Sequence, residues 1–337
     1  MLDRFFSLAK NRAAAFGDEY VTLWETLESN TVGGKRFRPR MVLTSYEGLG
    51  GSDTEAAAYV GAAFELLHTA LIVHDDVIDR DFSRRGIPNV SGSYRDIATT
   101  AGIPVPTAEH RGMSAAVIAG DLALFNSYRL IDRSGADDGV RSRLLEIMDD
   151  ALFASAAGEL IDVDFSIAAA VPDVEAILTM ERLKTAVYSF ECPLQAGAVL
   201  AGADEATVLA LGAFGRDIGI AYQIVDDLLG VFGVEDETGK TTIGDLREGK
   251  RTVLIAHAAT TAGWAGIRPM IGKPDLTADE AATVRAGLEA SGSRTYTERL
   301  AHSYRDRSLT RLDDADLPSG LCRELTAIAD EALSRVR

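Results

Sequence analysis

The sequence predicts an all-α fold, a single large helical bundle domain spanning residues 1–337. Two observations predict it. Alanine, leucine and interspersed charges dominate, and apolar residues recur at helical spacing while period-two runs of β-branched residues are rare. Breakers fall between these runs, and none of the joints reads as an inter-domain linker.

Taken in order, "VGGKRFRP" (32–39) precedes a helix, with Pro39 in its first turn. Residues 56–79 form one long helix that is apolar on most faces, as a helix at the centre of a bundle is. "DFSRRGIPNVSG" (81–92) and "AGIPVPTAEHRG" (101–112) are loops. Helical runs cover 114–132, 141–165, 173–201, 205–232 and 250–262. "FGVEDETGKTTIGDLREGK" (232–250) is a long polar loop, and "GIRPMIGKPDLT" (266–277) is another joint. From about residue 277 onward, acid-rich and Ala/Leu-rich patches alternate as in solvent-facing helices.

Acids outnumber bases by 51 to 34, a net charge of −17. That field disfavours nucleic acid and anionic membrane surfaces as partners. The two cysteines, Cys192 and Cys322, make neither a disulfide framework nor a zinc spacing, which fits a reducing cytoplasmic compartment. The first twenty residues are charged throughout and lack the apolar core of a signal peptide. No run approaches the ~18 uninterrupted apolar residues of a membrane span, so no integral membrane segment is expected.

Two acidic clusters end apolar helices. "LIVHDDVIDRD" (71–81) places Asp75 and Asp79 four residues apart on one helical face, with Asp76 partly aside. "AYQIVDDLLG" (221–230) carries Asp226 and Asp227. Each cluster alone reads equally well as a solvated helix end, although acids there oppose the helix dipole. Their repetition points elsewhere. Both are followed by a basic, glycine-bearing segment, Arg84 and Arg85 after the first and Lys240, Lys250 and Arg251 after the second. Carboxylates that share Mg²⁺, beside arginines and lysines, are the donor set that a diphosphate requires. "GGKRFRP" adds Lys35, Arg36 and Arg38 beside two glycines, and is otherwise a surface turn. Lys184 in "ERLKTAVYSFECPLQAGA" could snorkel to water, and His68 could be a hydrogen-bonded core histidine.

The segments "GGKRFRP", "HDDVIDRDFSRRGIP", "AGDLALF", "KTAVYSFECPLQAGA", "YQIVDDLLGVFG" and "TGKTTIGDLREGKRT" resemble, in order and spacing, those of the trans-isoprenyl diphosphate synthases, the polyprenyl synthetase family. The likeness covers roughly residues 30–255 and is greatest to the bacterial members that make geranylgeranyl diphosphate. It implies a helical bundle of the isoprenoid synthase type around a deep central cavity, with the two aspartate motifs facing across its mouth. It also implies a cytoplasmic homodimer and a reaction. About three Mg²⁺ ions hold an allylic diphosphate (dimethylallyl, geranyl or farnesyl), its carbon–oxygen bond ionises, and isopentenyl diphosphate adds to the cation. Released diphosphate takes the proton.

By this resemblance Asp75, Asp79 and Asp226 are metal ligands supported by Asp76 and Asp227. Arg84, Lys184, Thr185, Gln223, Lys240 and Lys250 contact the allylic diphosphate or its metals, and Lys35, Arg38, His68 and Arg85 bind isopentenyl diphosphate. Asp75, Asp79, Arg84, Lys184 and Asp226 are the expected catalytic set. Product length is expected to depend on Ala70 and Leu71, one turn before the first motif, and on Phe125 and Tyr128 as a deeper floor. The small Ala70 argues for geranylgeranyl diphosphate over a fifteen-carbon product, with longer chains as the alternative.

Two positions depart from the family pattern. Gly230 stands where many members have a third aspartate, and Glu159 where glutamine is frequent. Replacing Gly230 by aspartate is expected to alter elongation modestly, and Asp226→Ala to nearly abolish it. Two other readings compete. A class I terpene cyclase would need a different second metal motif, and a non-catalytic partner subunit would be expected to lose acids that this chain keeps.

Overall fold

The structure, a computed structural model, describes residues 1–31, 36–84, 86–233 and 242–334. In chain order the helices begin with α1 (Leu2–Ala13), α2 (Asp18–Thr31), α3 (Phe37–Gly48) and α4 (Thr54–Ile78). An antiparallel hairpin of β1 (Ser83–Arg84) and β2 (Ile87–Pro88) follows, pairing Ser83 with Pro88 and Arg84 with Ile87. Next come α5 (Val90–Thr100), α6 (Val105–Asp132), α7 (Asp138–Ile167) and α8 (Val174–Glu181). A π-helical stretch over Arg182–Glu191 leads into α9 (Cys192–Leu200) and α10 (Glu205–Phe232). The chain closes with α11 (Gly244–Glu248), α12 (Val253–Ala259), α13 (Trp264–Ile267), α14 (Ala278–Ala290), α15 (Ser293–Asp313) and α16 (Ser319–Leu333).

The chain divides into two compact units. One comprises Met1–Met148 with Ala196–Gly202, the other Asp149–Gln195 with Ala203–Arg337.

In the first unit α4 is the central helix. Asp53 caps it, accepting from the N–H groups of Glu55 and Ala56 at 3.0 and 3.1 Å. The side chains of Val60, Phe64, Leu66, Leu67 and Ala70 are then buried. The α6 face toward it is built of small residues, Ala116, Ala119, Gly120 and Ala123, all buried. The approach is tightest at Gly120, where a Cβ would come within 2.9 Å of His74 Cε1. A larger residue there would have to displace the His74 ring. Helix α6 begins at Val105 rather than after the expected 101–112 loop. Pro106 is compatible with this because its missing N–H falls in the first turn, where no helical acceptor exists.

In the second unit Asp204 caps α10 through the Thr207 N–H at 2.8 Å. Ile220, Ile224, Val225, Leu228 and Val231 join Val253, Leu254 and Ile255 of α12 in one apolar core. Burying each such side chain stabilises the fold by about 1.5–3 kcal/mol. The same helix carries the buried Asp217, which Arg311 of α15 reaches at 2.6 Å. By length and mean hydropathy alone α4 and α10 would suffice to cross a bilayer. Their most apolar windows are 72% and 67% buried within the protein, which accounts for that hydropathy as core.

Candidate active site

In the first unit the acidic cluster forms where α4 stops. Asp75 and Asp76 lie in its last turn, and Asp79 is the C-cap, its N–H donating to the Asp75 carbonyl at 2.9 Å. The hairpin then folds Arg84 back onto the pair. Its Nε and Nη2 donate to Asp76 Oδ1 at 3.0 and 2.7 Å, and Nη2 also donates to Asp75 Oδ2 at 3.1 Å. Asp76 is only 3% exposed. Burial pushes its carboxyl up, and the Arg84 guanidinium opposes that shift. Arg84 thus anchors Asp76 and touches Asp75, while Asp79 is exposed to solvent.

Backbone strain marks the neighbouring residues. Arg80, directly after Asp79, and Arg36, before α3, have φ of +59° and +50°, the two such non-glycine residues among those described. A left-handed conformation costs an arginine roughly 1–2 kcal/mol. Arg36 and Arg38 also face the buried Glu65 of α4, one turn before the half-buried His68. Burial raises the Glu65 carboxyl, and the two arginines pull it back.

Ala70 is buried, and Leu71 and Tyr128 are half-buried. Phe125 is different. It is 65% exposed and lies on an outer groove of this unit beside Arg129, so within this chain it closes no buried shaft. The reason is register: α6 turns Ala116, Ala119, Gly120 and Ala123 inward, which leaves Phe125 on the opposite face.

In the second unit the π-helical stretch carries Lys184 and Thr185. Single π-turns recur at functional sites because they re-aim side chains within a helix. Lys184 Nζ reaches Asp162 at 2.6 Å and Glu159 at 2.9 Å, both on α7. Glu159, the departure from glutamine, is therefore half of an ion pair with the lysine beside it. Gly158 makes this possible, since a Cβ there would lie 2.6 Å from Lys184 Cα.

Asp226 and Asp227 lie near the end of α10. Gln223, one turn earlier, donates from Nε2 to Asp227 Oδ1 at 2.8 Å. Burial, with repulsion from Asp245 and Asp226, pushes Asp227 up to about 7 against that hydrogen bond. Glu181 of α8 is 1% exposed. Its carboxyl is pushed well above the usual range by burial first, and then by Asp227 and Asp162. Lys250 pairs with Asp245 and Glu248 at 3.2 and 3.3 Å. Gly230 faces this group: a Cβ there would come within 2.9 Å of Asp245 Cγ.

Carboxyls thus crowd together in this unit: Lys184 pairs with Glu159 and Asp162 and Lys250 with Asp245 and Glu248, while Asp227 repels Glu181 and is itself repelled by Asp245 and Asp226. Crowded carboxyl oxygens with raised proton affinity are hard donors of the kind that Mg²⁺ takes.

Lys35, Arg85 and Lys240 lie outside the described residues. Sequence reasoning passed over Glu65, Asp162, Glu181 and Asp245. Glu181 had a legible signal, since it stands three residues before Lys184 on a helical run. Asp162 lies 22 residues from Lys184, so only folding brings the two together, whereas Asp245 stands close to Lys250 in the chain and was passed over as part of a polar loop.

Residues 21–285 match the polyprenyl synthetase family model. The chain is 33% identical over 312 residues to the geranylfarnesyl diphosphate synthase of Aeropyrum pernix, spanning 90% of this chain and 91% of that protein. It is 34% identical over 227 residues to the geranylgeranyl diphosphate synthase of Sulfolobus acidocaldarius, a match that spans 67% of this chain and 63% of that protein. Its fold superimposes on the geranylgeranyl pyrophosphate synthase of Corynebacterium glutamicum complexed with isoprenyl diphosphate and magnesium. The TM-score is 0.93 at 30% identity, with 99% of this chain and 96% of that one covered.

Proposed function

Because the chain belongs to the polyprenyl synthetase family of trans-prenyltransferases, we propose that it condenses isopentenyl diphosphate head-to-tail (1'-4) with an allylic diphosphate. The observation that carries the reading is the pairing of carboxylates with cations at the ends of α4 and α10. Asp75, Asp79 and Asp226, supported by Asp76 and Asp227, would hold Mg²⁺, about three ions per site. When bound, Mg²⁺ supplies positive charge that stabilises the departing diphosphate.

The chain's own residues do the rest. Arg84 and Lys184 carry the donors that the allylic diphosphate takes up, exchanging their present carboxylate partners for phosphate oxygens. Gln223 orients Asp227. Thr185, Lys240 and Lys250 complete that set, and Lys35, Arg38, His68 and Arg85 receive isopentenyl diphosphate. Glu65 steadies Arg38 by its charge. The apolar wall beneath the aspartates, with Val73 and Ala70 on α4, shields the allylic cation from water.

The product of the proposed reaction is geranylgeranyl diphosphate. Ala70 supports it, because a methyl group in place of an aromatic ring leaves room for chain growth at that level. Geranylfarnesyl diphosphate is the second reading, favoured by the match to the Aeropyrum pernix synthase over nearly the whole of both chains. A cytoplasmic homodimer completes the proposal.

Purified protein incubated with Mg²⁺, isopentenyl diphosphate and geranyl diphosphate tests it, with product length read by chromatography. Elongation to twenty carbons is expected from the wild type, and arrest at fifteen carbons from Ala70→Tyr. Wild-type arrest at fifteen would refute the product. A hydrocarbon or alcohol released with diphosphate would make the chain a cyclase, and no turnover without a second subunit would make it a partner.

A further inference from the structure

One cavity of the first unit lies away from the aspartates. It is a groove of about 920 Å³ between α1, α2 and α6, closed at one end by Tyr59 of α4. Tyr59 and Asp75 are sixteen residues apart on one helix, which at 1.5 Å per residue is about 24 Å. Six aromatic side chains line the groove: Phe5, Phe16, Tyr20, Trp24, Tyr59 and Phe125. Several stack edge to face, with Phe5 and Tyr20 at 6.0 and 6.4 Å from Trp24. Phe16, Leu8 and Phe125 are nonetheless largely exposed there, apolar surface that an occupant would cover.

The charges in the groove run against those of the chain. Overall, acids exceed bases by 51 to 34, yet the lining holds Arg4, Arg12, Arg129 and Arg133 and no aspartate or glutamate. Arg4 makes one exposed contact with Glu55 at 3.4 Å. Among the described residues, Arg12, Arg129 and Arg133 have no acid within ion-pairing distance. These three stand at the C-terminal ends of α1 and α6, where the helix dipole favours a cation. That explains a cation at each end, but not an aromatic bowl without acids between them.

We propose that this groove is a second binding site, for a prenyl diphosphate: the aromatic floor takes the isoprenoid tail, and Arg12, Arg129 and Arg133 take the diphosphate. The volume lies in the usual range for small-molecule sites, roughly 300–1,000 Å³. Guanidinium forks match phosphate oxygens in pairs, and the ring faces match a branched, unsaturated tail. The identity of the ligand rests on the proposed reaction, whose product belongs to this class. Binding there would let accumulating product act on α4 at a distance from the aspartates.

Trp24 reports on the groove. The chain has two tryptophans, so Trp264→Phe leaves it as the sole emitter. Titration with the unreactive S-thiolo analogue of farnesyl diphosphate in EDTA should change its emission saturably. Arg12→Gln combined with Arg133→Gln should weaken that binding at least tenfold while the variant still unfolds cooperatively in urea. Inorganic diphosphate and dodecanoate should each bind at least tenfold more weakly than the analogue. No saturable change, or equal affinity in the arginine variant, overturns the site. Equal affinity for dodecanoate makes the occupant a fatty acid and overturns the prenyl diphosphate. Emission that instead follows protein concentration, with sedimentation as a dimer that the arginine variant dissolves, assigns the groove to a second copy of the chain. The elongation assay separates the two claims: turnover without binding removes only the groove, and binding without turnover removes only the reaction.

Discussion

Gly158→Ala tests whether Lys184 is held where the proposed chemistry needs it. The added methyl would sit 2.6 Å from Lys184 Cα and 2.8 Å from the Leu183 carbonyl carbon. Carbon atoms in good contact are about 3.5–4.0 Å apart, so α7 and the π-helical stretch would have to separate by about 1 Å. Both obstructing atoms are backbone, so no side chain can turn away to make room. Overpacking of this kind costs typically 1–3 kcal/mol. The separation also loosens the Lys184 contacts to Glu159 and Asp162, which are partly exposed and add at most about 1 kcal/mol. A loss of roughly 2–3 kcal/mol should appear as a lower urea midpoint and a melting temperature reduced by about 3–4 °C. A displacement of about 1 Å at a charged substrate contact should lower elongation on the order of a hundredfold. Gly139→Ala is the control on the same helix, because its Cβ would meet nothing within 4 Å. It should raise stability by about 0.5–1 kcal/mol and leave elongation unchanged. Wild-type stability and rate in Gly158→Ala would refute both the contact and the role given to Lys184.

Gly230→Asp, a modest change by sequence alone, is expected to be harmful, because the new carboxylate enters beside Asp245, Asp227 and Asp226. Its urea midpoint in EDTA should fall by the equivalent of about 1–3 kcal/mol, while Gly230→Ala, which needs only a turn of the Asp245 side chain, should lose less; equal loss in both would remove the charge argument. Asp226→Ala should keep the fold and lose at least a hundredfold in elongation, measured as incorporation of labelled isopentenyl diphosphate. Glu181→Gln should uncover a pH dependence. The raised Glu181 carboxyl keeps its proton in the folded state above the unfolded value of 4.5, so wild-type stability falls as pH rises from there toward the folded pKa. The variant cannot ionise, so its stability relative to wild type in EDTA should be higher at pH 8 than at pH 5, by on the order of 1–2 kcal/mol. An equal difference at both pH values would show that Glu181 does not titrate in this window.

Periodicity made the long helices legible, and α10 begins and ends at the residues the pattern indicates, 205 and 232. Helices α6 and α12 were less so. Proline and glycine read as loop over 101–112, but Pro106 falls in a first turn where it breaks no hydrogen bond. The run at 250–262 shrinks to Val253–Ala259 because Gly249 takes a left-handed conformation before it and Thr260 ends it. The motifs named the charged residues without saying which way they turn. Arg84 illustrates this: spacing places it after the aspartates, yet the β1–β2 hairpin decides that it anchors Asp76. Phe125 misled because its position along α6 is readable but the inward face is not, until Ala119 and Gly120 are seen against α4.

The glycines carry the part of the site that sequence conceals. Gly120, Gly158 and Gly230 each lie inside a helix, where glycine is less favourable than alanine by about 1 kcal/mol. A helix accepts that penalty where the missing Cβ admits something else, and here the neighbours are His74, Lys184 and Asp245. At Gly120 and Gly230 the neighbour is a polar side chain and at Gly158 it is the Lys184 backbone, and none could sit as close to the helix if a methyl intervened. The glycines at 158 and 230 thus bring a lysine and a carboxylate close to α7 and α10 beside the acids of the second unit. The departure at Gly230 is therefore less a missing ligand than room for Asp245, whose carboxylate pairs with Lys250 and raises Asp227. A third aspartate in its place would compete for the space that the Asp245–Lys250 pair now occupies.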